Sequence, residues 1–204
     1  MKIAIDLNDV IRAFTSQFAS LYKKNIDRTF DIDDLDIWTN NLLNIFPFKD
    51  RKEYLSFIYD DYALELNGFS EMMHKNMGSR MTDWYEEVQD LEEVPDFTII
   101  STGEYDRTIG ATYFFLSKLA AKIRKVNLYL KEDNVWDDYD VIITANPAIL
   151  SIKPVDKISV KINAPYNTES ESDYEFESFI ELMEDINNIN KINKKQLKED
   201  DTNR

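Results

Sequence analysis

Short apolar runs recur along this chain with helix-length stretches between them, and few architectures accept that alternation. The runs fall at 2–6, 97–101, 126–130, 140–144 and 157–163. Between them the apolar residues change to helical spacing. Val10, Phe14, Phe18 and Leu21 keep it from Asp9 to about Lys24. Ile109, Tyr113, Leu116, Leu119 and Ile123 keep it over 104–124, and Phe176, Phe179, Ile180, Met183 and Ile186 close the pattern as a last helix. Strands separated by helices predict an α/β fold with a doubly wound parallel sheet.

One stretch breaks the rhythm. Residues 30–93 are helical in pattern, acidic and rich in aromatics, among them Trp38, Phe46, Phe48, Tyr54, Phe57, Tyr59, Tyr62, Phe69, Trp84 and Tyr85. They read as a helical insert in a core made of 1–29 and 94–186. Residues 187–204 are polar, with Ile189, Ile192 and Leu197 as their apolar anchors. Alone they would be disordered, so ordering them calls for a partner surface. A net charge of −15 opposes contact with nucleic acid or anionic membranes. No apolar run approaches the ~18 residues of a membrane helix. The chain has no cysteine, hence no disulfide, thiolate metal site or Cys nucleophile.

The first strand carries the chemistry. Ile3-Ala4-Ile5 ends on Asp6, followed by Leu7-Asn8-Asp9-Val10-Ile11. Ligands of open α/β sheets bind at such carboxyl-terminal tips. The segment resembles the first motif of haloacid dehalogenase-like (HAD) phosphatases. There, Asp-x-Asp supplies a nucleophile and then an acid/base, and a helical cap is inserted downstream. Two further passages are similar to the small 5′(3′)-deoxyribonucleotidase-like branch: DYDVIITANP at 138–147 and Asn163-Ala164-Pro165-Tyr166-Asn167. The resemblance spans about 1–186 and implies the HAD fold with a cap at 30–93.

Read motif by motif, the same resemblance implies losses. Asp6 matches the nucleophile and Mg²⁺ ligand. Asn8 holds the acid/base position, and an amide transfers no proton at neutral pH. Asp9 is expected to point away from the site. Ser101 matches the phosphate-binding hydroxyl. The Lys position falls on Asn134, with Lys131 three residues earlier, while Lys118, Lys122 and Lys125 read as a solvated face. Thr144 and Ala145 stand where the metal carboxylates belong, followed by Asn146. If the site is active, its catalytic set is Asp6, Asn8 and Ser101, and its metal ligands are Asp6, Asn8 and Asn146. If it is not, Asp6 is expected to accept backbone hydrogen bonds that stabilise its charged form.

Other candidates have plain readings. His74, the sole histidine, has no ligand spacing around it and reads as a surface or packing residue. Asp31, Asp33, Asp34 and Asp36 lack the Gly and closing Glu of an EF-hand and read as an acidic helix start. The stretches Glu86–Glu93 and Glu169–Glu177 read as solvated faces. The insert's aromatics read as its own core and an interface.

The missing groups lead to one expectation: a catalytically inactive HAD-like protein without cofactor, a structural component of a larger assembly. It would contact protein subunits through 30–93 and 187–204. Richness in Asn, Ile, Lys and Asp suggests an AT-rich genome, so the cytoplasm or a phage virion is the expected location. The alternatives are a Mg²⁺-dependent 5′-nucleotidase or other HAD phosphatase with Asp6 as nucleophile, and a non-catalytic nucleotide- or phosphate-binding module.

Overall fold

Six strands form one sheet in the order β3-β2-β1-β4-β5-β6, every neighbouring pair parallel. They are β1 (Lys2–Asp6), β2 (Asp96–Ser101), β3 (Lys125–Leu128), β4 (Val141–Thr144), β5 (Ile158–Ile162) and β6 (Tyr174–Phe176). The computed structural model describes residues 1–32 and 42–192. Trp38, Asp33, Asp34, Asp36 and 193–204, with Leu197, lie outside them. The fold is α/β, a doubly wound parallel sheet. The chain runs outward from β1 through β2 to β3, then returns to the other side of β1 as β4. That reversal opens a crevice at the tips of β1 and β4, where ligands of such sheets bind.

Both faces of the central strands β1, β2, β4 and β5 are buried, as parallel sheets require. Ile3, Ile5, Ile99, Val141, Ile143, Val160 and Ile162 share one core. Ala4, Ile100 and Ile142 face Val135, Trp136, Tyr139 and Ile149 on the other side. The helices are α1 (Phe14–Asn25), α2 (Leu42–Ile45), α3 (Arg51–Ser56), α4 (Ala63–Asn67), α5 (Met77–Val88), α6 (Asp106–Leu119), α7 (Val135–Asp138), α8 (Pro147–Ser151) and α9 (Phe179–Glu184), with a π turn at Phe57–Asp61.

A third core joins α1 to the helices of residues 42–67, called the cap below, and it differs from the expected insert in its bounds. Phe18 and Tyr22 of α1 pack with Phe46, Phe57 and Leu66, and with Phe30, Phe48 and Tyr54 around them. The ring centroids of Phe18 and Phe46 lie 4.6 Å apart. The cap core thus begins with α1, ahead of residue 30. Helix α5, expected in the insert, belongs to the sheet instead. Met77, Met81, Trp84 and Val88 are buried in the main core, with Trp84 edge-on to Phe97 and Phe179. A β-carbon at Gly78 would strike the Leu119 carbonyl at the end of α6, so α5 needs glycine there to dock.

Local details differ too. Residues 7–13 form a turn rather than the first helix, because Asp9 takes a left-handed backbone with φ 56°. Phe176 ends the short strand β6 instead of joining the last helix. The run 186–192 is helical and buries Ile189 and Ile192 in the main core, so the tail expected from 187 begins too early. No helix among the described residues is long and apolar enough to cross a membrane.

Cap and sheet are tied by one buried cation. Arg12, at 0% exposure, donates from Nη1 to the Asn67 carbonyl of α4 (2.9 Å) and to Thr112 Oγ1 of α6 (3.0 Å). Its Nε and Nη2 both reach Asn8 Oδ1, at 2.8 and 2.6 Å. Glu104, also buried, lies 3.6 Å from Nη2 and accepts from Ser101 and Thr112 at 2.8 Å. Burial pushes the guanidinium down to about 10, while Glu104 acts against that shift. Removing either partner leaves a buried charge alone, which costs about 3–5 kcal/mol. Urea unfolding of Arg12→Leu should show a loss of that size, and the double variant Arg12→Leu/Glu104→Leu should recover most of it. Additive losses would show that the pair does not act as a unit.

Candidate active site

Asp6 sits at the tip of β1 with its neighbours on both sides already placed. Its Oδ1 accepts from the Leu7 N–H at 2.8 Å and its Oδ2 from the Thr144 hydroxyl, on β4, at 2.6 Å. Thr144 Oγ1 in turn accepts the Asn146 N–H at 2.9 Å. The backbone bond to Asp6 is present as expected, yet it does not stabilise the charged form overall. Burial dominates, and with Asp9 nearby it pushes the carboxyl from 3.8 up to about 7, against Thr144, Leu7 and Arg12.

A cleft of about 140 Å³ opens over Asp6, lined by Asn8, Asp9, Phe14, Thr15, Leu42, Thr102, Asn146, Pro147 and Tyr166. Asp9 therefore faces the site, contrary to expectation. A right-handed turn would continue toward a helix. The left-handed residue, which Asp tolerates better than most, swings its side chain back instead. There it accepts from the Thr15 N–H (2.9 Å), the Thr15 hydroxyl and the Tyr166 hydroxyl (2.6 Å). Tyr166 is pushed well above its ordinary range by burial and by Asp9. Asn167, fully satisfied, holds this loop: it donates to the Ala145 and Ile162 carbonyls and accepts from the Ala164 N–H, each at 2.9 Å.

The remaining expected residues divide. Asn8 lines the cleft, but both bonds from Arg12 engage its oxygen. Asn146 caps α8, its oxygen taken by the Ala148 N–H at 2.9 Å, with Pro147 at the first helical position. Ser101 is buried and donates to Glu104, whereas the next residue, Thr102, lines the cleft. Asn134 stands before α7 and Lys131 is exposed. Lys122 and Lys125 pair with Glu86 and Asp96 on the surface, and Lys118 stacks on Phe69, Phe114 and Phe115. Exposed His74 accepts from the Asn76 N–H, and Asp31 pairs with Lys23. Sequence reasoning missed Arg12 and Thr102. A lone Arg inside the apolar run Val10–Phe14 was the available signal for the first.

Magnesium needs one or two carboxylates and takes the rest from water and substrate phosphate. Among the described residues no three His, Cys, Asp or Glu side chains gather into a ready cage. Asp6 fits that modest demand. Each of its oxygens accepts one described hydrogen bond, leaving lone pairs, and a bound cation would stabilise the charged form that burial disfavours. Asn8 Oδ1 is engaged twice, by Arg12, whereas Asn146 Oδ1 accepts one described bond and keeps a lone pair.

No family model matches the chain, and no curated protein matches it. Among solved structures, a haloacid dehalogenase-like hydrolase from Burkholderia xenovorans LB400 is similar over 91% of this chain and 95% of its own, at 12% identity and TM-score 0.49. A haloacid dehalogenase-like family hydrolase from Xanthomonas campestris covers 86% of this chain and 88% of its own, at 9% identity and TM-score 0.45. These likenesses concern the fold. Both are hydrolases by name, whereas an inactive structural protein was expected.

Asp6 also yields a stability prediction. Its folded carboxyl titrates higher than the unfolded one, so the unfolded chain releases the proton first as pH rises. The group costs nothing below about pH 4, its penalty grows between about 4 and 7, and it is complete above that. In metal-free buffer, Asp6→Asn should therefore gain on the unmodified protein by about 2–3 kcal/mol between pH 5 and pH 8, at 1.36 kcal/mol per pH unit. Urea unfolding at the two pH values checks this. A pH-independent difference would contradict it.

Proposed function

We propose that this chain is a Mg²⁺-dependent phosphohydrolase of the HAD-like kind, acting on phosphomonoesters with Asp6 as nucleophile. The observation that carries the reading is the placement of Asp6: a buried carboxylate at the switch point of the sheet, oriented by Leu7 and Thr144 and opening into a cleft beneath the cap. Burial strips water from the attacking oxygen, and the two hydrogen bonds hold it in one rotamer. The carboxylate attacks phosphorus, the ester P–O bond breaks, and an aspartyl phosphate forms; water then cleaves the acyl phosphate. Arg12 contributes fixed positive charge behind the site. Thr102 lines the cleft where a hydroxyl would meet phosphate oxygens. Held by Asp6, Mg²⁺ would neutralise the incoming phosphate.

The narrower resemblance makes nucleoside monophosphates the first substrates to try. Phe14 and Tyr166 give the cleft aromatic surface against which a base or sugar can pack. Incubated with Mg²⁺, the protein should hydrolyse an aryl phosphate or a nucleoside monophosphate, stop on chelation, and lose at least about 10³-fold in rate as Asp6→Asn. Mg²⁺ should also raise the melting temperature of the unmodified protein at pH 8 and leave that of Asp6→Asn unchanged. Failure to hydrolyse any phosphomonoester in a broad panel, or full activity in Asp6→Asn, would overturn the reading.

A further inference from the structure

We propose that Asp9 is the acid/base of this site, one residue later than the family pattern puts it, and that Tyr166 is its positioning residue. The inference rests on the hydrolase reading above and names the proton carrier which that reading leaves open.

Asn8 is ruled out twice. An amide has no proton to exchange near neutrality. Its oxygen is also held by two bonds from the buried fork of Arg12. The same turn that commits Asn8 presents Asp9. The Leu7 carbonyl accepts from both the Ile11 N–H (3.1 Å) and the Arg12 N–H (2.8 Å), closing a tight bend around residues 8–10. With φ 56° at its centre, the bend turns the next carboxylate into the cleft that Asp6 also lines. The two are close enough for Asp9 to raise the Asp6 carboxyl.

Asp9 is held as a working group would be. The Thr15 N–H and hydroxyl fix it from α1, and the Tyr166 hydroxyl fixes it from the loop after β5. Oδ1 takes only the Thr15 N–H among the described bonds, so a lone pair remains for a proton. Asp6 attacks phosphorus as the ester P–O bond breaks, and the Asp9 carboxyl gives its proton to the departing oxygen, releasing an alcohol. The Asp9 carboxylate then takes a proton from water. That water's oxygen attacks the aspartyl phosphate, the Asp6–phosphorus bond breaks, and inorganic phosphate leaves with both carboxyl groups restored.

The test uses the full chain with Mg²⁺ and two substrates, p-nitrophenyl phosphate and an alkyl phosphate such as glycerol phosphate. The nitrophenolate leaves without a proton; the alkoxide does not. Asn tolerates the left-handed backbone as Asp does, so Asp9→Asn preserves the turn. It should lower kcat/KM for the alkyl ester by about 10²–10⁴-fold, the usual worth of a general acid, and far less for the aryl ester. With the aryl ester it should also accumulate phosphoenzyme, seen by intact mass as one added phosphoryl group, because the second step lacks its base. Tyr166→Phe should show the same asymmetry at smaller size, which keeps the test open if Asp9→Asn folds poorly. Equal losses on both substrates without trapped phosphoenzyme would make Asp9 a structural cap, and overturn this assignment alone. So would Asp9→Asn activity within about threefold of the unmodified protein when Asp6→Asn is dead. An unmodified protein that turns over neither substrate would overturn the hydrolase reading and this one with it.

Discussion

Arg12 is a charge with no water around it, and much of the molecule is arranged to make that tolerable. Five donors need acceptors, and the chain supplies them from four places: Asn8 in the turn, Asn67 in the cap, Thr112 on α6 and Glu104 in the loop after β2. A guanidinium presents its donors in one rigid plane, so those groups must converge on that plane. The cap is therefore not merely packed against the sheet. Its α4 carbonyl is fastened to the residue that closes the turn after β1. Cap position and the turn after β1 become one structural fact.

Two carboxylates beneath that cap produce the electrostatics of the site. Asp6 is desolvated and lies near Asp9, so its proton is held to about pH 7. Asp9 instead has three hydrogen-bond donors on it. Two acids of one type thus sit in unlike surroundings, one stripped of water and one richly bonded. Substrate phosphate would meet this negative pocket unfavourably without a cation, which is why a metal belongs to the account.

The sheet was legible because its central strands β1, β2 and β4 are buried on both faces and read as apolar runs, and β5 alternates Ile158, Val160 and Ile162; each of the five expected overlaps an observed one. Asp6 was legible because it ends the first of them. β6 was not: three residues, Tyr174–Phe176, carry too little pattern to separate from the amphipathic helix that follows. Helix α5 was assigned to the cap because its aromatics match the insert in composition, whereas its partners, Phe97 and Phe179, are distant in sequence. Asp9 was the costliest miss. Spacing arguments assume that the strand's alternation or the helix's period continues, and a single left-handed residue obeys neither. The Asn8-Asp9 pair, two residue types that tolerate such a backbone, was the local hint.

The central claim is that Asp6 accepts a phosphoryl group in a Mg²⁺-dependent way. Fluorine NMR of the protein with beryllium fluoride, a mimic of aspartyl phosphate, tests it without needing the natural substrate. A bound fluorine resonance that requires Mg²⁺ and vanishes in Asp6→Asn is the predicted result. No bound resonance at any Mg²⁺ concentration, or one that persists in Asp6→Asn, would contradict the account.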